Sequence, residues 1–275
     1  MNLSPAAAQP LYEQPWFVLD SSQYAISAAA AGGVSHYYCF DVAQSASATV
    51  VVPDGCVDVI FDCNAGQPRA RVCGTALNAR RVELLPNHRY FGARFRPGVI
   101  PGFLAVTAED LTDQEHDLRD VTPQAERLLE RIVLAPGFAA RIQALGGFVD
   151  AHLAVRGSRL TQWLIAQALA GKGDVRIGHW EAKTGVNRRT LQRQFKRDTG
   201  LAPKAFCRIV RGQAAMNTLL DNPEVCCSDL AAELGFSDQS HFLRDFKTLT
   251  STTPHDYQRR LRQEGYGQRI HRLEL

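Results

Sequence analysis

Arg189, Gln192, Arg193 and Lys196 recur at spacings of three and four residues. On a helix that spacing puts them on one face. Arginine and glutamine form paired hydrogen bonds with the edges of guanine and adenine in the major groove of a duplex. A lysine late on the same face suits a phosphate, because its ammonium is a mobile point charge. A second face carries Gln239, Ser240, Leu243, Arg244 and Lys247. With Lys196 and Lys247, Arg188 and His241 complete the candidates for phosphate contacts. A single face of this kind is accounted for by a solvated surface helix. Two in register point to a reader of double-stranded DNA.

The elements that must position these faces form an internal repeat. Leu191-Gln192-Arg193-Gln194-Phe195-Lys196 aligns with Phe242-Leu243-Arg244-Asp245-Phe246-Lys247 at an offset of 51, which extends to Pro203 with Pro254 and Phe206 with Tyr257. Upstream, Ala182 to Val186 aligns with Ala232 to Phe236 at an offset of 50, and a one-residue slip in the turn reconciles the two. Each copy reads as a short helix, a glycine turn, a second helix and a helix started by proline. Gly185 and Gly235 suit the left-handed residue that ends a helix. Asn187, and Ser237 or Asp238, suit the following N-cap. Leu191 with Phe195, and Phe242 with Phe246, face inward together. The small Ala182 is expected where two helices cross. Two helices joined by a short glycine turn make a helix-turn-helix. Between the copies, Phe206, Ile209, Val210, Ala214, Leu219 and Leu220 stripe a helix from Pro203, ended by Asp221-Asn222-Pro223. At about 1.5 Å per residue its eighteen residues span about 27 Å, near the ~34 Å turn of B-DNA.

Residues 172–263 resemble the DNA-binding domain of AraC/XylS-type transcriptional regulators. The resemblance is carried by Thr190 to Lys196, the Gly200-Leu201-Ala202-Pro203 junction, and Leu230 to Lys247 with Pro254 and Tyr257. It implies two helix-turn-helix units on a linker helix, bacterial gene regulation with RNA polymerase as a further partner, and base contacts near Arg189, Gln192, Arg193, Gln239, Ser240 and Arg244. Ser251 departs from the pattern, standing where the family usually has glycine.

The front half reads as short strands: Gly33 to Val42, Ala48 to Val52, Val57 to Cys63, Arg71 to Cys73, Val82 to Leu85 and Tyr90 to Phe95. Turn residues separate them, at Pro53-Asp54-Gly55, Asn64-Ala65-Gly66, Pro86-Asn87 and Arg96-Pro97-Gly98. Amphipathic helices follow at Pro123 to Leu134 and Phe138 to Val155, then a Gly157-Ser158 linker and a helix from Arg159 to Ala170. The apolar stripes of the helices at 123–155 fit a homodimer contact or packing onto the strands. Val52 to Phe61 and Gly92 to Gly98 resemble an uncharacterised N-terminal domain fused to some AraC-type regulators, which implies a cupin-like barrel. Alternation puts Cys56 and Asp58 on one face, and Arg94 and Arg96 on another. With Asp54 they could line a cavity, the arginines for an anion and the aspartates for a cationic or hydroxylated ligand. A structural Asp–Arg ion pair closing a turn is the plainer alternative. His36, Cys39, Cys56, Asp58 and His88 are capable metal ligands, but no local pair has chelating spacing, so no metal and no cofactor is expected.

The fold class is therefore α+β in two domains. Residues 1–156 form a mainly-β cupin-like barrel (about 14–120) with a helical hairpin (about 123–155), and 157–264 an all-α double helix-turn-helix. Charge supports the division. Residues 1–170 hold 13 Arg, no Lys and 16 Asp+Glu, whereas the rest hold 18 Lys+Arg and 12 Asp+Glu. The 275 residues are 45% hydrophobic and 21% charged, ordinary for a globular chain. No stretch reaches the ~18 apolar residues of a membrane span. Met1 to Pro10 lacks the basic start of a secretory signal. Seven irregularly spaced cysteines fit the reduced thiols of a cytoplasmic protein. No nucleophile motif supports an enzyme. The expected function is a sequence-specific transcriptional regulator sensing a small effector. The alternative is a ligand-independent regulator whose front half serves protein interaction or oligomerisation.

Overall fold

The computed structural model describes residues 12–29, 33–43, 48–64, 66–152, 155–222 and 224–274. The leader reading at Met1 to Pro10, and Ala65, Leu153 and Pro223, lie outside the described residues.

The chain opens with helix α1 (Pro15–Asp20), whose proline sits in the first turn, where no N–H is needed. Strands β1 (Ser21–Ala28), β2 (Val34–Val42), β3 (Ala48–Val51), β4 (Asp58–Asp62), β5 (Arg69–Cys73), β6 (Arg80–Glu83), β7 (Arg89–Phe95), β8 (Ile100–Pro101) and β9 (Glu115–Asp117) follow. Next come α2 (Leu118–Val121), α3 (Ala125–Leu134), α4 (Gly137–His152) and β10 (Val155–Arg156). The remainder is α5 (Arg159–Ala170), α6 (Ile177–Thr184), α7 (Arg188–Thr199), α8 (Pro203–Asp221), α9 (Cys227–Glu233), α10 (Gln239–Thr250), α11 (Pro254–Gln263), α12 (Tyr266–Arg269) and β11 (Ile270–Arg272).

The front half is mainly β, as its alternation requires. One seven-stranded sheet has the order β11-β1-β2-β7-β4-β5-β9, and the β3–β6 pair forms a separate ribbon. Helices α3 and α4 cover one side of the large sheet. Their stripes (Leu128, Leu129, Ile132, Leu145, Phe148 and Val149) are buried with Phe61, Phe91 and Phe95 of the strands. Packing onto the sheet thus accounts for the apolar faces of both helices.

Eight elements were not expected from the pattern: α1, β1, β8, β9, α2, β10, α12 and β11. β11 adds to β1 in parallel, pairing Tyr24 with Ile270 and Ile26 with Arg272. The basic half thereby contributes a strand to the sheet of the acidic half. One apolar cluster also runs through both, joining Trp16, Phe17, Tyr24, Tyr38 and Phe40 to Met216, Leu219, Phe242, Phe246 and Tyr257. Gly157 and Ser158 link two halves that share a core.

The repeat is explicit in three dimensions. Asn187 caps α7 by accepting from the Thr190 N–H at 3.0 Å, and Asp238 caps α10 by accepting from the His241 N–H at 2.7 Å. Phe195 meets Phe206 edge-on at 5.4 Å, and Phe246 meets Tyr257 edge-on at 5.6 Å. Ala182 does not lie at the helix crossing. It is exposed, as is Ala232, and the α6–α7 contact is filled by the fully buried Trp180, stacked 6.3 Å from Phe195. Leu220 also departs from its stripe and stays 39% exposed at the end of α8.

Both recognition helices end in a left-handed residue, Gly200 at φ 76° and Ser251 at φ 62°. A non-glycine residue there costs about 1 kcal/mol. Ser251→Gly is expected to raise stability by about 0.5–1 kcal/mol, measured as an upward shift of the urea unfolding midpoint.

Candidate nucleic-acid interface

Burial of Leu191 and Phe195 turns the opposite face of α7 outward. Arg188, Arg189, Arg193 and Lys196 are exposed, and Gln192 is half-buried among them. Burial of Phe242 and Phe246 does the same for Gln239, Ser240, Arg244 and Lys247 of α10. Arg189, Arg193, Arg244 and Lys247 form no ion pair among the described residues, so their hydrogen-bond donors are open to a ligand. Two residues are already engaged. The His241 ring lies edge-on to Phe236 at 5.3 Å with Nδ1 3.1 Å from Ser237 Oγ. Lys196 Nζ lies 3.0 Å from Glu109 of the front half. The Arg188 backbone N–H donates to the Glu181 carboxylate, leaving its side chain outward.

Helix α8 has 19 residues, about 28 Å of helix, and holds both units. The guanidinium of Arg211 donates to Gly173 O at 3.1 Å, beside the first unit, and to Gly235 O at 3.3 Å, in the turn of the second. It also lies 5.0 Å from the centre of the Phe236 ring. Asp198 ties α5 to α7, accepting from the Ser158 N–H, Thr161 Oγ1 and Gln194 Nε2 at 2.7–2.9 Å. Burial works against that carboxylate, but these donors outweigh it and hold its pKa below the usual range. These clamps were not foreseen.

The front half grips these helices at several points. Gln213 Nε2 donates to Pro53 O at 2.7 Å in the core. Arg208 donates to Asp245 at 2.8 Å and to Asn78 Oδ1 at 3.2 Å. The Ala79 N–H donates to Thr248 O at 3.0 Å, and Trp16 Nε1 to Thr250 O at 3.3 Å. The Gly200 turn approaches the Ala108 carbonyl so closely that any side chain there would collide with it.

Beside these contacts lies a small cavity of about 60 Å³ between the large sheet and the β3–β6 ribbon, partly open to solvent. Asp54, Cys56, Asp58 and Arg94 line it, as the alternation places them, whereas Arg96 does not. Arg94 is buried and fully engaged. Its Nε and Nη2 donate to Asp58 at 3.0 and 2.9 Å, and its Nη1 reaches Tyr12 O at 2.7 Å and Asp54 at 3.0 Å. Asp54 also accepts from the Cys56 N–H and from Gln14 Nε2. Burial raises the pKa of Asp58 while Arg94 pulls against it. This is an ion-pair clamp that holds the Asp54–Cys56 turn onto β7.

The other titratable candidates are dispersed. His36 is buried, and burial pushes its pKa down to about 3, so it is neutral. His88 Nδ1 pairs with Asp62 at 2.8 Å. Burial raises the thiols of Cys39 and Cys56. Among the described residues no three His, Cys, Asp or Glu side chains are grouped to hold a metal ion. Cys226 is exposed. It precedes α9, and its thiol pKa is lowered by hydrogen bonding with Ser228. No described helix is long and apolar enough to cross a membrane.

A helix-turn-helix domain family matches residues 180–260, covering both copies of the repeat. Residues 180–260 are a helix-turn-helix domain. A domain of unknown function, DUF6597, matches residues 23–117. The chain is similar to the HTH-type transcriptional activator RhaS of Escherichia coli, with 35% identity over 81 residues, 28% of this chain. The chain spans 29% of the length of RhaS. Among solved structures, a probable AraC family regulator from Rhodopseudomonas palustris is 28% identical, covering 38% of this chain and 97% of its own at a TM-score of 0.35. ToxT from Vibrio cholerae is 11% identical over 81% of this chain and 93% of its own, at a TM-score of 0.42.

Proposed function

We propose that this protein is a sequence-specific DNA-binding transcriptional regulator, and that its front half takes a small effector. One observation carries the first part. Two helices capped at equivalent positions, α7 and α10, are locked onto α8 with arginine and glutamine faces left free. In this reading Arg189, Gln192, Arg193, Gln239, Ser240 and Arg244 contact bases, and Arg188, Lys196, His241 and Lys247 contact phosphates. RNA polymerase would be the further partner of such a regulator.

Effector sensing is supported by the route from the cavity to the readers. Gly74 of the cavity wall lies against the Leu111 carbonyl, and a side chain at 74 could not fit. Asp113 N donates to Thr75 O at 2.9 Å. The same loop carries Ala108 against the Gly200 turn and Glu109 against Lys196. A ligand that moves the wall at Gly74 therefore displaces the loop leaning on α7. Glu109→Gln removes a carboxylate that competes with phosphate for Lys196. The expected result is tighter binding to unselected duplex DNA and a salt slope steeper by up to about one charge, measured by fluorescence anisotropy across a salt series. Binding unchanged by Glu109→Gln contradicts the role of the loop, and no binding to any duplex contradicts the regulator reading.

A further inference from the structure

The effector cavity proposed above has two charged ends of opposite character. At the Arg94 end, two carboxylates share one guanidinium, and each of its three nitrogens faces a partner. Cys56 N–H and Gln14 Nε2 add donors to Asp54, so no open acceptor faces a cationic ligand with advantage. At the other end the ratio is reversed. Arg71 and Arg80 share one carboxylate, Glu115, at 3.2 and 2.6 Å. Arg80 Nε is buried there with no hydrogen-bond partner among the described residues. Glu83 also lines the cavity, from the more exposed side of β6, but it forms no ion pair with either arginine among the described residues. The three side chains carry a net positive charge, and a buried guanidinium N–H without an acceptor is an unfavourable arrangement that an anion relieves. Between the two ends the walls are apolar and aromatic, with Tyr24, Tyr38, Phe40 and Tyr90 from the large sheet and Val82 and Leu84 from the β6 side.

We propose that the cavity binds a small organic acid, its carboxylate held by Arg71 and Arg80 and its apolar or aromatic body laid against the tyrosine and phenylalanine wall. The inference rests on the effector reading and adds the ligand class. Glu115 then acts as the internal competitor of the ligand carboxylate. That gives an unusual sign to one variant, since removing an acidic residue from the site strengthens binding while removing either arginine weakens it.

The test is calorimetric titration of the full chain with three near-isosteric probes: phenylacetate, phenylacetamide and 2-phenylethylamine. Phenylacetate is expected to bind in the millimolar range, as befits a ligand of its size, with the amide and amine at least about tenfold weaker. Arg80→Gln and Arg71→Gln are expected to weaken phenylacetate by about tenfold each, and Glu115→Gln to tighten it by a similar factor. Thermal unfolding of each unliganded variant checks that it remains folded. Equal or stronger binding of the amide or amine, or loss of phenylacetate binding in Glu115→Gln, overturns the organic-acid assignment and leaves an effector cavity of another class. No binding of any probe by the folded parent chain overturns the cavity reading, and the assignment with it.

Discussion

Arg94→Ala is expected to lower stability by about 3–5 kcal/mol, the cost of leaving a buried ion pair without one partner. The guanidinium is buried and holds Asp58 and Asp54 together with the Tyr12 carbonyl. Its removal strands two carboxylates inside the sheet. The loss has a pH signature. Burial already raises the Asp58 pKa against the pull of Arg94, and without the arginine the folded-state pKa rises further. A carboxyl whose folded pKa is raised favours the folded state when protonated and disfavours it as pH rises through that pKa. The deficit of the variant is therefore largest at neutral pH and shrinks towards about pH 4–5. Urea unfolding at the two pH values reads this out. A deficit that is equal at both contradicts the stranded-carboxylate account. Arg94→Lys recovers only part of the stability, because an ammonium cannot reproduce the fork.

Arg193→Ala and Arg244→Ala are each expected to cost about 1–3 kcal/mol on the selected DNA site and to relax preference at the base each one reads. Both residues are exposed on recognition faces and unpaired among the described residues, so their loss leaves the fold intact. Lys247→Ala behaves differently. It weakens binding on every sequence alike and flattens the salt dependence by about one charge. Competition titrations with selected and random duplexes separate the two patterns. Equal losses on both duplexes for the arginine variants contradict base contact.

The reader was legible because its signals are local. Glycine turns, N-caps and apolar pairs four apart fix each helix from within, and α5 falls at Arg159–Ala170 as its periodicity predicts. Strands β2 to β7 were legible to within about two residues at their ends, because turn residues punctuate the alternation. What the sequence hid was long-range. β1 begins with Ser21-Ser22-Gln23, and only Tyr24 and Ile26 mark its inward face. β11 is a strand solely because β1 offers an edge to it. The Arg71–Arg80–Glu115 group joins three strands distant in sequence, and no motif announces it. The Asp54, Asp58 and Arg94 grouping was visible from alternation, but its closure upon itself depends on Gln14 and the Tyr12 carbonyl arriving from the segment before α1. Charge suggested a division into two halves. The core they share was not, because nothing local in Trp16 or Phe17 names Tyr257 or Phe242 as a neighbour.

The central claim is that one chain reads one duplex at two successive positions through α7 and α10. Its most direct test is selection of bound sequences from a random DNA pool with the full-length protein at moderate salt. The account predicts enrichment of a single extended, asymmetric motif with two conserved segments about one helical turn apart, about 10–10.5 base pairs. Enrichment of one short segment alone, of a symmetric palindrome, or of no sequence at all contradicts it.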